Sequence, residues 1–373
     1  MLTVLTLVGA WALVRHRPAL PTDNAAYGES PGLSPTRATR AGPATPATGR
    51  AAPAGSGPSW PEAHPASSAS RTATGTHSAP SGASLRGCPN LPAGDIWHAD
   101  VSRLPVAARS ARYLASIGAD RRLHPDFGSG TWEGGPIGIP VTYVGGGQRR
   151  VPVSFDHADE SDPGPYPIPG AALVEGGPTS DGDRHVLVVD TAACRLYEMF
   201  DAHPNADGSW HAGSGAVYDL RSDRLRPAGW TSADAAGLPI VPGLVRYEEV
   251  AAGRIDHAVR ITVPLTRKRY LWPARHAASA SHNPALPPMG LRLRLKAGVD
   301  ISRLPEQARI VAQAMKTYGV IVADNGSPWF LGGAPDPRWD NDALAGLGRL
   351  TGGDFEAVDV TDLMTDPNSG RTR

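Results

Sequence analysis

The stretch "DRHVLVVDTAACRLYEMF", residues 183–200, contains two runs of β-branched and other apolar residues on either side of "TAAC". Two such runs joined by a four-residue loop predict a β-hairpin. In this register Leu187 faces Glu198 and His185 faces Phe200, and the four side chains share one side of the hairpin because side chains alternate along a strand. The fold is therefore expected to be built on antiparallel strands.

His185 and Glu198 are polar residues on an otherwise apolar side of this hairpin. A carboxylate is costly to bury unless it is paired, so the pattern favours a cleft or a working acid/base pair. Two alternatives stay open: Glu198 is a structural partner of His185, or the register differs by one residue.

Alternation of apolar and polar residues recurs along the chain and predicts strands. The predicted strands are 139–144, 150–155, 185–190, 195–200, 215–220, 257–264, 270–275, 291–296 and 320–324. Helical periodicity is found in 107–118 and 305–319, each of which ends at a glycine. Nine or more strands without alternating helices predict a mainly β fold, an antiparallel two-sheet sandwich of jelly-roll type with a few short helices.

The N-terminal part of the chain differs in composition from the rest. Residues 1–17 start with an apolar run and end in basic residues, which predicts a signal peptide or membrane anchor. Residues 18–85 are rich in Pro, Ala, Ser and Thr and predict a disordered stalk. We therefore expect an exported or cell-surface protein with a β-sandwich domain over 86–350 and a C-terminal tail over 351–373.

The net charge restricts the possible partners, and the cysteines predict a disulfide. The chain has 36 basic and 36 acidic residues, so no nucleic-acid partner is expected, and membrane contact is expected only through the N-terminal segment. The two cysteines are Cys88 and Cys194, and in an exported chain they are predicted to form a disulfide. The alternative is two buried thiols.

Two further strands carry candidate functional side chains. In "GRIDHAVRITVP", residues 253–264, His257 lies on an apolar face and is either a catalytic residue or a hydrogen-bonded core histidine. Trp210 and His211 lie in the glycine-rich stretch 208–215, where a ligand could approach the backbone. The alternative for this pair is an edge-strand aromatic beside a solvated imidazole.

The stretch "DNGSPWF", residues 324–330, contains an Asn-Gly turn and predicts a hairpin that presents Asp324 and Trp329. Familiar signatures of other enzyme classes are absent from the sequence: it has no G-x-S-x-G, no Walker loop, no H-E-x-x-H and no cysteine cluster for zinc. These absences argue against a serine hydrolase and a nucleotide-binding enzyme.

The stretch "FDHADESDPGPYPIPG", residues 155–170, combines four carboxylates with alternating prolines that stiffen the backbone around Tyr166. Three interpretations stay open: a stiff solvated loop, the rim of a glycan-binding groove, and a calcium site. The rim would use Asp159 or Glu160. The calcium site would use Asp156, Asp159, Glu160 and Asp162, and calcium is the one cofactor that the sequence suggests.

Several stretches resemble, in the same order, a widespread family of exported bacterial proteins common in actinobacteria and other soil bacteria. They are "DIWHADVSRLPVAARSARYLASIG", "LHPDFGSG", "IGIPVTYV", "DRHVLVVD", "CRLYEMF", "AGRIDHAVRITVP" and "YGVIVADNGS", within roughly 88–342. This chain has His98 where the family pattern has Asn. The resemblance implies an exported β-rich domain and no particular reaction. It also implies that His185, Glu198, His257 and Asp324 are the candidate functional residues.

An exported β-rich domain with tryptophans and scattered His, Glu and Asp residues predicts a glycan-directed protein, by analogy of fold. As a glycoside hydrolase it would use Glu198 with Asp159 or Asp324 as the acid and the base or nucleophile. The alternative is a non-catalytic cell-wall or carbohydrate-binding module. The predicted substrate-binding side chains are Trp210, His211, Arg275, Arg292, Tyr166 and Trp329.

A polysaccharide lyase is the other enzymatic possibility. In that case His185 or His257 would abstract a proton, and Arg275 or Arg292 would neutralise the uronate. The sequence thus leaves open whether a glycan is hydrolysed, eliminated or only bound.

Overall fold

The computed structural model describes residues 84–373. The predicted signal peptide or anchor at 1–17 and nearly all of the predicted stalk at 18–85 lie outside the described residues. Within 84–373, no helix is long and apolar enough to cross a bilayer.

Strands predominate over helices in the described part of the chain, which confirms the mainly β prediction. The strands are β1 (His124–Asp126), β2 (Thr131–Trp132), β3 (Gly135–Pro136), β4 (Val141–Val144), β5 (Val153–Phe155), β6 (Val186–Asp190), β7 (Arg195–Phe200), β8 (His203–Pro204), β9 (Trp210–Ala212), β10 (Ser214–Asp219), β11 (Val259–Val263), β12 (Arg292–Leu295), β13 (Val320–Asn325), β14 (Phe330–Gly332) and β15 (Phe355–Ala357). The helices are α1 (Ser110–Ile117), α2 (Tyr247–Ala251), α3 (Glu306–Thr317) and α4 (Asn341–Ala345).

These strands form sheets of six, four, three and two strands. The six-stranded sheet has the order β1-β14-β11-β13-β12-β15, and the four-stranded sheet has the order β10-β7-β6-β4. The smaller sheets are β5-β9-β8 and β2-β3. Because β1 and β14, β11 and β13, β4 and β6, and β5 and β9 run parallel, the antiparallel jelly-roll arrangement is not confirmed. After β11 the chain passes through β12 and α3, which lets β13 return beside β11 in the same direction.

The hairpin of β6 and β7 has the predicted register. Leu187 is paired with Glu198, and Val189 is paired with Leu196. The His185 and Phe200 rings continue this register with centroids 5.8 Å apart. The predicted side of the hairpin is therefore confirmed, and it faces the main hydrophobic core through Leu187.

Two predicted local structures differ from the observed ones. Residues 270–275 form no strand, and Tyr270 makes only an isolated bridge with Met289. Pro273 has no N–H to donate to a ladder.

The Asn-Gly turn does not close a hairpin either, because β13 and β14 lie on opposite sides of β11. The turn crosses the end of β11, where the N–H of Gly326 donates to the Val263 carbonyl at 2.8 Å.

The structure places residues 351–373 in the folded domain, not in a separate tail. β15 closes one edge of the six-stranded sheet by pairing with β12. Beyond it, the Arg275 guanidinium donates to the carbonyl of Pro367 at 2.6 Å and to the side chain of Asn368 at 2.8 Å. The domain boundary predicted at residue 350 is corrected accordingly, since these contacts bind the last residues to the domain.

The predicted disulfide between Cys88 and Cys194 is present, with the two Cα atoms 5.4 Å apart. It joins the first described residues to the loop between β6 and β7. Both cysteines are buried in the main core, beside the apolar side of the hairpin.

Replacing Cys194 with Ser should lower the free energy of unfolding by about 4 kcal/mol, because the bridge closes a loop of more than a hundred residues in the unfolded chain. Urea unfolding without reductant measures this loss. Wild-type protein unfolded with reductant is the control and should show the same midpoint as the variant. A loss below about 1 kcal/mol would show that the bridge does not constrain the unfolded chain.

Candidate functional site

Arg260 on β11 forms a buried ion pair at the centre of the six-stranded sheet. Its Nε and Nη2 donate to Oδ2 of Asp234 at 3.2 and 3.1 Å, and both residues are buried. On the neighbouring strand, a Cβ at Gly332 would lie 2.9 Å from Cγ of Arg260. The bare glycine therefore leaves the space through which this arginine extends.

Asp324 lies at the end of β13, in register with Thr262 of β11. It is partly exposed, and Oδ1 accepts a hydrogen bond from the N–H of Asn325 at 2.6 Å. Burial raises the pKa of Asp324 to about 7, the nearby carboxyl of Asp234 raises it as well, and Arg260 opposes both effects. Asp324 therefore keeps its proton over a wider pH range than an ordinary aspartate does.

Asp234 shares the same arginine as Asp324. Burial raises the pKa of Asp234, and the guanidinium of Arg260 opposes that effect. Two carboxyls beside one guanidinium cannot both ionise without mutual repulsion, so the pair holds a proton more tightly than either carboxyl would alone.

His185 and Glu175 form a second ion pair close to the first. Nδ1 of His185 lies 2.6 Å from Oε2 of Glu175, and Nε2 lies 3.0 Å from the carbonyl of Ala233. With an acceptor at each nitrogen, the imidazole is held in the protonated form. Burial lowers the pKa of His185, but Glu175 outweighs it and the pKa is raised to about 9. Burial raises the pKa of Glu175, and His185 lowers it below its usual value.

These groups belong to one electrostatic cluster around Arg260. Burial lowers the pKa of Arg260, and the carboxylates of Asp234, Asp324 and Glu175 together raise it above its usual value. Asp126 and Asp183 form the exposed edge of this cluster, which we call its rim. Burial raises the pKa of Asp126, and Glu175 and Asp183 raise it further, whereas His124 and Arg260 oppose the rise. We call this set the carboxylate cluster: Asp126, Glu175, Asp183, Asp234 and Asp324, with Arg260 and His185.

The carboxylate cluster combines a protonated carboxylic acid with an ionised carboxylate. Asp324 is partly exposed and holds its proton near neutrality, whereas Glu175 is a quarter exposed and is kept ionised by His185. Environments that push two carboxyl pKa values apart assign one as general acid and the other as base or nucleophile. The cluster therefore brings together two carboxyls whose pKa values are shifted in opposite directions.

Glu198 has a different role from the predicted catalytic one. It is fully buried, and its carboxylate accepts hydrogen bonds from the N–H groups of Ile240 and Val241 at 2.9 Å. Burial raises the pKa of Glu198 to about 7, while these N–H donors lower it. Glu198 caps the turn at Val241–Gly243 inside the core, where it has no exposed surface, and the direct partner of His185 is Glu175.

His257 also proves to be a core histidine. Its Nε2 lies 3.0 Å from Oε1 of Glu249, and its Nδ1 lies 2.8 Å from the carbonyl of Ala258. The residue has no exposed surface. The structural alternative is correct, because both ring nitrogens are engaged by protein atoms.

Most carboxylates of the acidic stretch 155–170 accept hydrogen bonds from, or form ion pairs with, other residues of the protein. Asp162 pairs with Arg226 and accepts the N–H of Val217 at 2.9 Å. Glu160 accepts the N–H of Thr231 at 2.9 Å.

At the start of this stretch, Asp156 lies 3.1 Å from Nε2 of His211, while Asp159 is exposed. The Tyr166 hydroxyl is buried and donates to the carbonyl of Asp162 at 2.7 Å. Among residues 84–373, no group of three or more His, Cys, Asp or Glu side chains is arranged to hold a metal ion. These contacts favour the stiff-loop interpretation.

The predicted aromatic contacts with substrate are mostly buried. Trp329 is 1% exposed, and its Nε1 donates to the Gly118 carbonyl at 2.8 Å. Trp210 is 7% exposed and packs in the smaller core, and only its neighbour His211 remains accessible. Neither indole offers a face to a glycan.

Arg275 and Arg292 are buried as well, and both donate to backbone carbonyls. Nε of Arg275 donates to the Arg226 carbonyl at 2.7 Å. Nη1 of Arg292 donates to the Tyr318 carbonyl at 3.0 Å. The proposal that either neutralises a uronate is therefore wrong, because each guanidinium is committed inside the fold.

Of the predicted site residues, Asp324 and His185 lie in the carboxylate cluster. The sequence analysis missed Arg260, Asp234 and Glu175, although the alternation in 253–264 puts Arg260 on the side opposite His257. Comparison with known proteins finds no matching family model, no similar curated protein and no similar solved structure. The chemistry of the cluster is accordingly the basis for assigning a function.

Replacing Glu175 with Gln should lower the free energy of unfolding by about 2 to 3 kcal/mol near pH 6. The folded pKa of His185, about 9, exceeds its ordinary value of 6.5, so its contribution is fully present below pH 6.5 and is lost as the pH rises through 9. The difference between the variant and the wild type should therefore vanish near pH 10. Urea unfolding at several pH values measures it.

The matched control is Asp201→Asn, which removes the carboxylate of an exposed pair whose Oδ1 lies 2.8 Å from Nε2 of His203. Because both side chains are about half exposed, this change should cost less than about 1 kcal/mol at every pH. A Glu175→Gln effect that stays constant from about pH 6 to pH 10 would contradict the ionised pair.

Proposed function

We propose that this protein is an exported or cell-surface glycoside hydrolase, with Asp324 as general acid and Glu175 as base or nucleophile. The observation that carries the proposal is the position of these two carboxyls around Arg260, with their pKa values shifted in opposite directions. Glycoside hydrolysis requires such a pair, one carboxyl protonated and the other ionised.

In the proposed reaction, Asp324 gives its proton to the leaving glycosidic oxygen as the bond from that oxygen to the anomeric carbon breaks. The Glu175 carboxylate either attacks the anomeric carbon or takes a proton from the attacking water. His185 orients Glu175 through the 2.6 Å contact. Arg260 stabilises the Asp324 carboxylate that remains after proton transfer, and Asp234 holds the guanidinium in place.

Hydrolysis is favoured over elimination by the charges in the cluster. A lyase needs a cation to neutralise the uronate carboxylate and a free base to take the proton at the carbon next to it. Arg275 and Arg292 are committed to carbonyls, and His185 donates from both nitrogens. The partly exposed groups of the cluster are mainly carboxylates, which repel a uronate.

The disulfide between Cys88 and Cys194 supports the proposed location. Disulfides form and persist outside the cytosol, where thiols are not kept reduced. The bridge thus fits the expectation of an exported chain that follows from the apolar N-terminal run.

The full-length protein should release reducing ends from at least one soil or cell-wall polysaccharide without a rise in absorbance at 235 nm, which would indicate elimination. Asp324→Asn and Glu175→Gln should each reduce kcat by about 10²- to 10⁴-fold, since each removes one half of the acid/base pair. Thermal melts establish that the variants are folded.

The control is Asp120→Asn, which changes an exposed carboxyl outside the cluster and should leave the rate unchanged. Polysaccharide binding without cleavage would contradict the hydrolase proposal and support the alternative, a non-catalytic wall- or carbohydrate-binding module.

The rate should also depend on pH in a defined direction. Because Asp324 must be protonated to act as the acid, kcat/KM should fall as the pH rises through about 7. On the acid side, activity should persist below the ordinary carboxyl range, because His185 lowers the pKa of Glu175. Initial rates measured from about pH 3 to pH 9 give the profile. An alkaline limb that is unchanged in Asp234→Asn would exclude the coupled carboxyl pair as its origin.

A further inference from the structure

Trp132 is the most exposed large apolar side chain among residues 84–373, with 73% of its surface accessible. It ends β2, and its ladder partner across the β2–β3 hairpin is Gly135. The two residues between them, Glu133 and Gly134, have φ of +50° and +88°. Positive φ at both central residues is the conformation of a tight two-residue turn, so the hairpin is short and holds the indole out from the surface.

The hairpin rests on the turn that carries Glu175. A Cβ on Gly135 would overlap the backbone of Gly176, so the hairpin and the turn are in direct backbone contact. The turn is closed by the N–H of Gly177, which donates to the Val174 carbonyl at 2.9 Å. Trp132 is therefore paired with Gly135, and Gly135 contacts Gly176, the residue that follows Glu175. This contact places the β2–β3 hairpin against the turn that carries Glu175.

The charge of the carboxylate cluster restricts what can lie beside it. With Asp324 protonated, its four other carboxyls still outnumber its two cations, Arg260 and His185, and both cations are buried and paired. Asp126 and Asp183, at the rim, are exposed. A chain bearing carboxylate, sulfate or phosphate groups would meet like charge at short range, which costs free energy that a chain without anionic groups avoids.

We infer that Trp132 is a sugar-stacking residue and that the site takes a glycan free of anionic groups, built of neutral or amino sugars. The inference rests on the proposed hydrolase site, whose substrate class it names. The apolar face of a pyranose ring packs on an indole, and an amino group would be attracted to the rim carboxylates. Trp132 contributes binding, and the cluster sets the charge that is accepted.

Binding is measured by isothermal titration on the full chain carrying Asp324→Asn, so that nothing is cleaved. The probes are soluble oligosaccharides of three kinds: neutral β-glucans and xylans, chitosan oligosaccharides, and oligogalacturonates. A neutral or amino-sugar probe should bind and oligogalacturonates should not. Adding Trp132→Ala should weaken binding about tenfold, and Trp132→Phe should weaken it less.

Two further variants test the position of the indole. Gly135→Ala should displace the hairpin from Gly176 and weaken binding although Trp132 is intact. Val106→Ala changes a side chain that is 51% exposed elsewhere and should have no effect. Thermal melts of each variant establish that it is folded.

Tightest binding to oligogalacturonates, no binding to any of the three probes, or unchanged affinity in Trp132→Ala would each overturn the inference. Binding that depends on Trp132 while the wild type cleaves nothing would support the inference and overturn the hydrolase. Cleavage of neutral glycans that is indifferent to Trp132 would do the reverse.

Discussion

The buried ion pair between Arg260 and Asp234 is the constraint around which the site is organised. The carboxylate of Asp234 offsets the cost of burying this guanidinium inside the sheet, and the bare Gly332 provides the space for its stem. Once that cation is present, Asp324 and Glu175 can be gathered beside it without unscreened repulsion. The pKa values of these two carboxyls shift for separate reasons: burial and Asp234 raise that of Asp324, whereas His185 lowers that of Glu175.

The other buried polar groups hold the loops of a fold in which regular structure is sparse. Glu198 binds the N–H groups at Ile240 and Val241, and Arg275 fastens the C-terminal residues. Buried donors and acceptors without partners are costly, so each of these charged groups specifies one loop position. Polarity inside this domain thus marks loop attachment more often than chemistry, which is why Glu198 and His257 resemble catalytic residues in the sequence.

The part of the site that was predictable is the part set by local pattern. The hairpin of β6 and β7 and its register follow from alternation and loop length, so His185 was placed on the correct face. Asp324 was found because it precedes an Asn-Gly turn. Glu175 lies in an irregular loop without periodicity, and Arg260 lies on the face of β11 opposite the apolar side that carries His257, so neither had a local signal.

The sequence by itself determined the predominance of strands, the β6–β7 register, the presence of α1 and α3 and the pairing of the two cysteines, because each depends on neighbouring residues or on composition. Only the tertiary structure decided the mixed parallel order of the six-stranded sheet and the identity of the partner of His185. Both depend on contacts between distant segments: β13 returns beside β11 after a long crossover, and the loop carrying Glu175 folds back on the start of β6. Alternation along a strand says which residues share a face, but it carries no information on which distant loop covers that face.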